Sequence, residues 1–432
     1  MIVWGLGRHG GGVSAARHLA ARGEATAVVD AASATSLHES VAQIGGLGIT
    51  YRVGCDTDAK QAAALADAAD WGGVVVNPAI RVDHPLLVDL QRRGVPLTTE
   101  LALTLDAIPD GTPVVAVTGS NGKSGLCARL AQCDGTAVGG NFERDLLDRP
   151  GSLLTEGLGG GVRRVVVEVS SFQASQLNAF ELQPRRPDVA VLTSLAANHI
   201  DWHSSVEAYY AAKRSLLRRT APDGTIVCFE DDAAALGLDA AVCEATLRLL
   251  NERDDRSRED AIVTALAELG ILDAVPPPVT LPHRRAVVAD TGGVRWVDDS
   301  ASTTPAATMH TLRRLLQDDA TPQPIVLILG GRNKGLPASE LDALCRAVAP
   351  QTAAVATIGE TAAELARLVA IHGGKVRSCR TLAKAVKWSR KLLAGAALDG
   401  GTLLLSPGFA SVDQFADYRE RGHAFAALAT AE

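Results

Sequence analysis

The sequence predicts an α/β protein of three units, each a mostly parallel sheet covered by helices. Three observations carry that prediction. Short runs of Val, Ile, Leu and Ala recur as strands and alternate with stretches of helical periodicity along the chain. Most of these strands end in glycine-rich or polar turns, where the ligand-binding crevices of open α/β sheets lie. Aromatic residues are only 4% of the 432, whereas small apolar residues abound, which suits close helix–sheet layers. A chain of this length also exceeds one ordinary core.

Bulk composition narrows the function classes. With 47% hydrophobic and 21% charged residues, the chain reads as ordinary globular protein. A net charge of −7 gives no electrostatic argument for nucleic acid or an anionic membrane, so neither is expected as a partner. The seven Cys are scattered without a C-x-x-C pair, and they read as incidental thiols in a reducing compartment. Met1 leads straight into a strand and no apolar run is long enough to span a bilayer, so a cytoplasmic protein without membrane insertion is expected.

The first unit, about residues 1 to 110, opens with the strand Met1–Trp4 and the turn Gly5-Leu-Gly-Arg-His-Gly10. A helix from about Val13 to Arg22 and a strand Ala25–Val29 ending at Asp30 follow. Strand, glycine turn, helix and a later acidic residue form a Rossmann-like nucleotide site. The extra Gly11 and Gly12 loosen the turn relative to a dinucleotide fingerprint, and a glycine turn can also serve helix–strand packing alone. A further strand, Gly73–Val76, ends in Asn77-Pro78-Ala-Ile80.

The second unit, residues 111–283, begins with Val114–Val117 running into Thr118-Gly-Ser-Asn-Gly-Lys-Ser124. A buried-type strand entering a glycine turn and then a helix presents backbone N–H groups (Gly119, Ser120, Asn121), a helix N-terminus and one lysine to a polyphosphate. Val117 stands where the general P-loop pattern has its first glycine, and a surface Asn-Gly turn is the bland alternative. What remains is Gly122 for close approach, Lys123 for the β/γ-phosphates and Ser124 for Mg²⁺. Arg164–Glu168 places a carboxylate at the end of the next strand, where a Mg²⁺ ligand is needed. After Val189–Leu192 come Asn198-His199-Ile-Asp201-Trp-His203. No second cluster at zinc spacing follows, so His199 reads as a single histidine working with the Mg²⁺ and phosphate machinery. Lys213 lies on the helix 205–217, and its residue context alone reads as a solvated lysine. Past Thr225–Phe229, two helices are predicted, around 233–250 and 258–269, joined by the charged run 251–260, a solvated loop with a helix start.

The third unit, residues 284–432, begins with a hairpin, Arg285–Ala289 and Val294–Val297, turned at Thr291-Gly-Gly293. A helix from 306 to 316 follows. The strand 324–329 runs into Gly330-Gly-Arg-Asn-Lys-Gly335, and strands at 353–358 and 402–405 complete the alternation. The last one delivers Ser406-Pro-Gly-Phe-Ala-Ser-Val-Asp-Gln-Phe415 and a terminal helix.

Taken together, these motifs resemble the Mur ligase superfamily, in order and over nearly the whole chain. The matching pieces are Thr118–Ser124, Gly139-Gly-Asn141, Glu168-Val-Ser-Ser-Phe-Gln173, Asn198–Asp201 and Tyr209-Tyr-Ala-Ala-Lys213. They continue with Leu281-Pro-His-Arg284, Asp299-Ser300, Gly330–Lys334 and Ser406–Tyr418. Ser-Phe-Gln after Glu168 and the Ala-Ser-Val-Asp-Gln-Phe ending are similar to the D-glutamate-adding branch. The resemblance implies an ADP-forming amide ligase of peptidoglycan precursor synthesis, probed by three domains in turn: a Rossmann-like N-terminal domain for a UDP-bearing substrate, a P-loop-type central domain for ATP and Mg²⁺, and a Rossmann-like C-terminal domain for the amino acid. UDP-N-acetylmuramoyl-L-alanine would be activated as an acyl phosphate and captured by D-glutamate.

It further implies roles for individual residues. Lys123 would neutralise the transferring phosphoryl group, Ser124 and Glu168 would hold one Mg²⁺, and His199 would serve a second. The family lysine at Lys213 is carbamylated, which reverses the solvated reading. Arg284 and Asp299 would hold ATP. Asp30, Asn141, Ser170 and Gln173 would contact the UDP substrate, and Thr303, Lys334, Ser411 and Tyr418 the D-glutamate. A monomer acting on small molecules is implied. The chain departs from the family at Ala301, where a lysine is usual, and around 254–260, where the adenine-side signature is replaced. It is also shortened around 229–276 and compressed between Ser124 and Gly139. The alternatives are a folylpolyglutamate-type ligase, an oxidoreductase built on Gly5–Asp30, or a divergent nucleotide-binding homologue with weakened catalysis.

Overall fold

A computed structural model describes residues 1–7, 11–141, 146, 161–251, 257–395 and 400–430. The chain is mixed α/β with three open sheets. The first contains β1 (Ile2–Trp4), β2 (Ala27–Asp30), β3 (Thr50–Val53), β4 (Val74–Val76) and β5 (Leu97–Thr98) in the order β3-β2-β1-β4-β5, all parallel. β1, β2 and β4 are buried throughout, which is why they read as continuous apolar runs and not as alternation.

The second sheet holds β6 (Val114–Thr118), β7 (Thr136–Gly140), β8 (Arg164–Glu168), β9 (Val189–Leu192), β10 (Thr225–Phe229) and β11 (Thr246–Leu250). Its order is β11-β10-β9-β6-β8-β7, again all parallel. From β6 the chain builds first toward β7 and β8, then crosses to β9, so the strand order reverses at β6. The crevice at the carboxyl end of such a strand is the expected ligand position in this class of sheet.

The third sheet runs β12 (Ala286–Thr291), β13 (Val294–Asp298), β17 (Gly401–Leu405), β14 (Ile325–Gly330), β15 (Ala354–Ile358) and β16 (Val376–Arg380). β12 and β13 form the expected hairpin and pair antiparallel; the other neighbours are parallel. The described residues cluster into two compact units. One is Met1–Leu195 with Glu207–Pro278, which contains the first two sheets; the other is Ala196–Val206 with Val279–Glu432, which contains the third. Within the first unit, Gln176 Nε2 donates to Asn77 O and Ile80 O, both at 2.9 Å, and so joins the two sheets' layers.

Two sequence expectations are corrected. The predicted helix over 233–250 is a short helix, Glu230–Leu236, followed by strand β11. Gly237 stops the helix in a left-handed conformation (φ +60°), and Thr246–Leu250 then pairs in parallel register with Thr225–Phe229. The charged run 251–260 is also more than a solvated loop. Residues 252–256 lie outside the described residues, but Ser257 caps the helix Arg258–Glu268, and Glu259 and Asp260 meet the buried Arg129 at 3.2 and 2.7 Å. All seven cysteines are free thiols, six of them buried.

Candidate active site

At the end of β6, Gly119 (φ +150°) and Gly122 (φ +86°) shape the turn that leads into the helix Lys123–Leu130. A Cβ on Gly119 would lie 2.0 Å from Thr193 Oγ1, so no side chain fits there. Two residues at the end of β9 hold the turn. Ser120 N–H donates to Ser194 O (2.8 Å), Asn121 N–H donates to Ser194 Oγ (3.0 Å), and Thr193 Oγ1 donates to Asn121 O (2.5 Å). The N–H groups of Ser120 and Asn121 are thus engaged inside the protein. Anion-binding capacity then rests on the first turn of the helix, whose N–H groups have no intrahelical partners, and on Lys123. Thr193 and Ser194 belong to no motif of their own; a Thr-Ser pair ending a strand beside the switch point is the sequence signal they offer.

Lys213 overturns its residue-context reading: it is 1% exposed, not solvated. The helix Val206–Leu217 turns Tyr209, Ala212, Lys213, Leu216 and Leu217 inward together, at helical spacing. Lys213 Nζ donates to Gly119 O at 2.9 Å, and Lys123 Nζ donates to the same carbonyl at 2.8 Å. Burial, and after it the Lys123 charge, hold the Lys213 ammonium well below the usual lysine range, with Glu168 opposing. The Tyr209 ring centroid is 4.7 Å from Lys213 Nζ, and Tyr209 Oη donates to Ser120 Oγ at 2.9 Å. Tyr209 therefore ties the lysine helix to the glycine turn.

Glu168 ends β8 at 1% exposure. Asn141 Nδ2 donates to its Oε1 at 2.8 Å, and Asn141 N–H donates to its main-chain oxygen, also at 2.8 Å. Glu168 Oε2 is buried with no hydrogen-bond partner. A buried carboxylate oxygen left without a donor is costly unless a cation completes it. The residues therefore fit a divalent cation, with Glu168 and the hydroxyl of Ser124 in the first helical turn as protein ligands. Among the described residues no three His, Cys, Asp or Glu side chains converge to hold a metal by themselves, so nucleotide oxygens would complete the shell.

Ser170 and Gln173 form a capping box that starts the helix Ser171–Ala179: Ser170 N–H donates to Gln173 Oε1 (2.9 Å), and Gln173 N–H donates to Ser170 Oγ (3.2 Å). Asp30 ends β2 at 8% exposure. Its Oδ2 accepts from Leu6 N–H (2.8 Å) and Gly7 N–H (3.2 Å), and its Oδ1 from Ala32 N–H (2.8 Å). The remainder of that glycine turn, Arg8–Gly10, lies outside the described residues.

The compact unit formed by Ala196–Val206 and Val279–Glu432 contains the other candidates. His199 adopts a left-handed conformation (φ +55°) and heads the short helix Ile200–His203; its N–H donates to Asn198 Oδ1 at 2.9 Å. Lys334 Nζ lies 3.4 Å from Asn198 Oδ1 and 3.5 Å from Thr303 Oγ1, and its carbonyl accepts from Asp201 N–H (3.0 Å). A bridge between Arg332 and Ala410 sets the loop after β14 beside buried Ser411. Tyr418 starts the terminal helix, and its carbonyl accepts from Ser300 Oγ at 2.8 Å. Asp299 is 3% exposed; its Oδ2 accepts from Ser302 Oγ (2.5 Å) and Ser406 Oγ (2.7 Å), its Oδ1 from Arg285 N–H (3.2 Å). Burial pushes its carboxyl up despite these donors. Arg284 is half-buried in the segment before β12. No motif singles out Arg421, which is 1% exposed and donates to Ser300 Oγ, Ser300 O and Phe409 O at 2.9, 2.8 and 3.1 Å; burial lowers its pKa to about 10. It pins the loop that carries Ala301.

The sequence profile of the Mur ligase middle domain matches residues 117–253. The UDP-N-acetylmuramoylalanine–D-glutamate ligase of Rubrobacter xylanophilus is 34% identical over 468 aligned positions, covering 99% of this chain and 97% of that protein. The protein of the same name from Symbiobacterium thermophilum is 30% identical, with 96% and 94% covered. Among solved structures, the UDP-N-acetylmuramate–alanine ligase MurC of Thermotoga maritima shares the fold with a TM-score of 0.58 at 16% identity, over 98% of this chain and 97% of that one. The MurF ligase of Thermotoga maritima, solved in complex with ADP, gives 0.58 at 14% identity over 94% and 95%.

Proposed function

The chain belongs to the Mur ligase family, and from that premise we propose that it joins D-glutamate to UDP-N-acetylmuramoyl-L-alanine with ATP, in peptidoglycan precursor synthesis. The observation that carries the reading is its relatedness, over nearly the whole length, to ligases of that name, at 30 and 34% identity. The glycine turn and Lys123 after β6, and the unpartnered Glu168 oxygen at the end of its parallel neighbour β8, support it chemically.

In this reading the substrate carboxylate attacks the γ-phosphorus of ATP and ADP leaves, giving an acyl phosphate. The D-glutamate amine attacks the acyl carbon, phosphate departs, and the amine loses a proton to complete the amide. Lys123 swings from the Gly119 carbonyl to the phosphoryl oxygens and neutralises charge that builds there. Ser124 and Glu168 would hold Mg²⁺, which supplies electrostatic neutralisation of the phosphates when bound. Asn141 keeps Glu168 oriented for that task. His199 would serve a second metal. Arg284 and Asp299 serve ATP; Asp30, Asn141, Ser170 and Gln173 serve the UDP substrate. Thr303, Lys334, Ser411 and Tyr418 serve D-glutamate, with Lys334 paired to a carboxylate.

Lys213 acts as a carbamate, formed when its neutral amine adds to CO₂ and releases a proton. Its burial and depressed basicity support this, since both raise the share of neutral amine. The enzyme works as a cytoplasmic monomer. No helix among the described residues is long and apolar enough to cross a membrane.

The test is product release. Purified protein should form ADP and phosphate only when UDP-N-acetylmuramoyl-L-alanine and D-glutamate are both present. Turnover with L-glutamate and a folate, but not with this pair, would move the assignment to the folylpolyglutamate branch. Ala301, which removes a family cation, favours a second reading with weakened catalysis. Tight ATP binding without phosphate release under saturating substrates would establish it.

A further inference from the structure

Arg284 sits between two residues held in a conformation that side chains rarely adopt: His283 has φ +61° and Arg285 φ +54°. Each is fixed by a carboxylate at the end of β13. His283 Nδ1 lies 2.6 Å from Asp298 Oδ2, with the two side chains 9% and 1% exposed, and Arg285 N–H donates to Asp299 Oδ1 at 3.2 Å. The clamp is closed further by Ala301 N–H, which donates to His283 O (3.0 Å), and by Ser300 N–H, which donates to Asp298 Oδ1 (2.9 Å). From the terminal helix, Gly422 leaves room for the pair: a Cβ there would lie 2.1 Å from His283 Nδ1 and 2.7 Å from Asp298 Oδ2. The rings of His423 and Tyr418 flank His283, with centroids at 4.8 and 6.3 Å. Arg284 itself is half-buried, and its guanidinium has no hydrogen-bond or ion-pair partner among the described residues. So much restraint on the backbone around an uncommitted cation is the arrangement of a preorganised anion ligand: the side chain is left open while its neighbours absorb the strain.

We propose that His283 and Asp298 are positioning residues for Arg284. Their buried pair holds the 283–285 backbone in the left-handed form, so that Arg284 meets a nucleotide phosphate without paying to order itself at the moment of binding. The proposal rests on the reading of Arg284 as a nucleotide ligand.

Asp298→Asn keeps the shape at β13 and removes the charge that faces His283; His283→Gln attacks the pair from the other side. Both are measured in the full-length enzyme for melting temperature, KM for ATP, KM for D-glutamate, kcat, and affinity for a non-hydrolysable ATP analogue. Each variant should weaken ATP and analogue binding about tenfold or more, keep kcat and the D-glutamate KM within about twofold, and melt within a few degrees of the wild type. Combined with Arg284→Ala, neither should add a further loss, because the positioned group is gone. A full additional loss in the Arg284→Ala background would overturn the proposal, as would unchanged ATP affinity. If both variants melt early and lose all kinetic parameters together, the pair is a structural device and the proposal fails. A wild-type enzyme that binds the analogue but releases no phosphate with the full substrate set would sink the ligase reading instead, and would leave the binding comparison intact.

Discussion

Replacing Lys213 with methionine should separate stability from activity. Methionine fills similar space without charge. In the wild type, Lys213 Nζ and Lys123 Nζ both reach Gly119 O, at 2.9 and 2.8 Å, so the two nitrogens are no more than about 6 Å apart. Were both charged, their repulsion would be about 3 kcal/mol at an effective dielectric constant near 20. Burial of the Lys213 ammonium adds a desolvation penalty. Against these, the substitution removes one hydrogen bond, worth about 1 kcal/mol net, the cation contact with the Tyr209 ring, and the attraction of Glu168. Gly119 O is not orphaned, since Lys123 still donates to it. Against wild type held free of CO₂, so that Lys213 is unmodified, the balance predicts a variant at least as stable, by about 0–2 kcal/mol, allowing for the depressed basicity that already reduces the charge on Lys213. Turnover should nonetheless fall by about a hundredfold or more if Lys213 works as the proposed carbamate, which methionine cannot form. Thermal melting and ADP release on the same preparation decide the matter. A variant that melts well below the wild type while keeping its turnover would refute both the electrostatic accounting and the role assigned to the side chain.

The remaining predictions concern neighbouring groups. Gly119→Ala drives a Cβ to 2.0 Å from Thr193 Oγ1 at φ +150°, so it should destabilise the protein by about 2–5 kcal/mol and abolish ATP turnover; unchanged melting and turnover would remove the tight-turn argument. Glu168→Gln retains the contact to Asn141 but loses the anionic Oε2, so the Mg²⁺ concentration for half-maximal phosphate release should rise about tenfold or more, and an unchanged Mg²⁺ curve would exclude Glu168 as a ligand. Asp299 titrates above the ordinary 3.8 because it is buried, so the folded state holds more protons than the unfolded state above that pH. Its contribution to stability therefore falls as pH rises from about 3.8 through the raised value, and Asp299→Asn should flatten that part of the stability–pH curve; an identical slope in the variant would count against the account.

How far the sequence could be read depended on what each residue answers to. Strands such as Val114–Thr118 and Val189–Leu192 were legible because burial on both faces leaves an uninterrupted apolar run. The helix imagined over 233–250 was not, since Thr246–Leu250 carries helix-compatible residues whose strand state comes from pairing with β10, a partner about twenty residues away. Glu168 was found from its place at a strand end, and the structure adds why it matters, the unpartnered oxygen. Lys213 could not be judged from local context, because its burial is decided by the inward face of its helix and by the distant Gly119 carbonyl. Arg421 is far in sequence from the Ser300 it holds, as Asp298 is from His283, and no motif spacing announces such contacts.

Asp30 gives the first sheet a property of its own. A glycine turn after the first strand of such a sheet is ordinarily a receptor for a ligand's phosphate. Here the carboxylate of Asp30 already occupies two of the turn's donors, Leu6 N–H and Gly7 N–H, so the protein supplies an anion of its own to that part of the cradle. On the proposed function, a ligand arriving there would meet a carboxylate already seated at those two donors, and recognition at Leu6 and Gly7 would rest on shape and on uncharged hydrogen-bonding groups. Discrimination among nucleotide-bearing substrates would then fall on the base and sugar more than on the diphosphate they share.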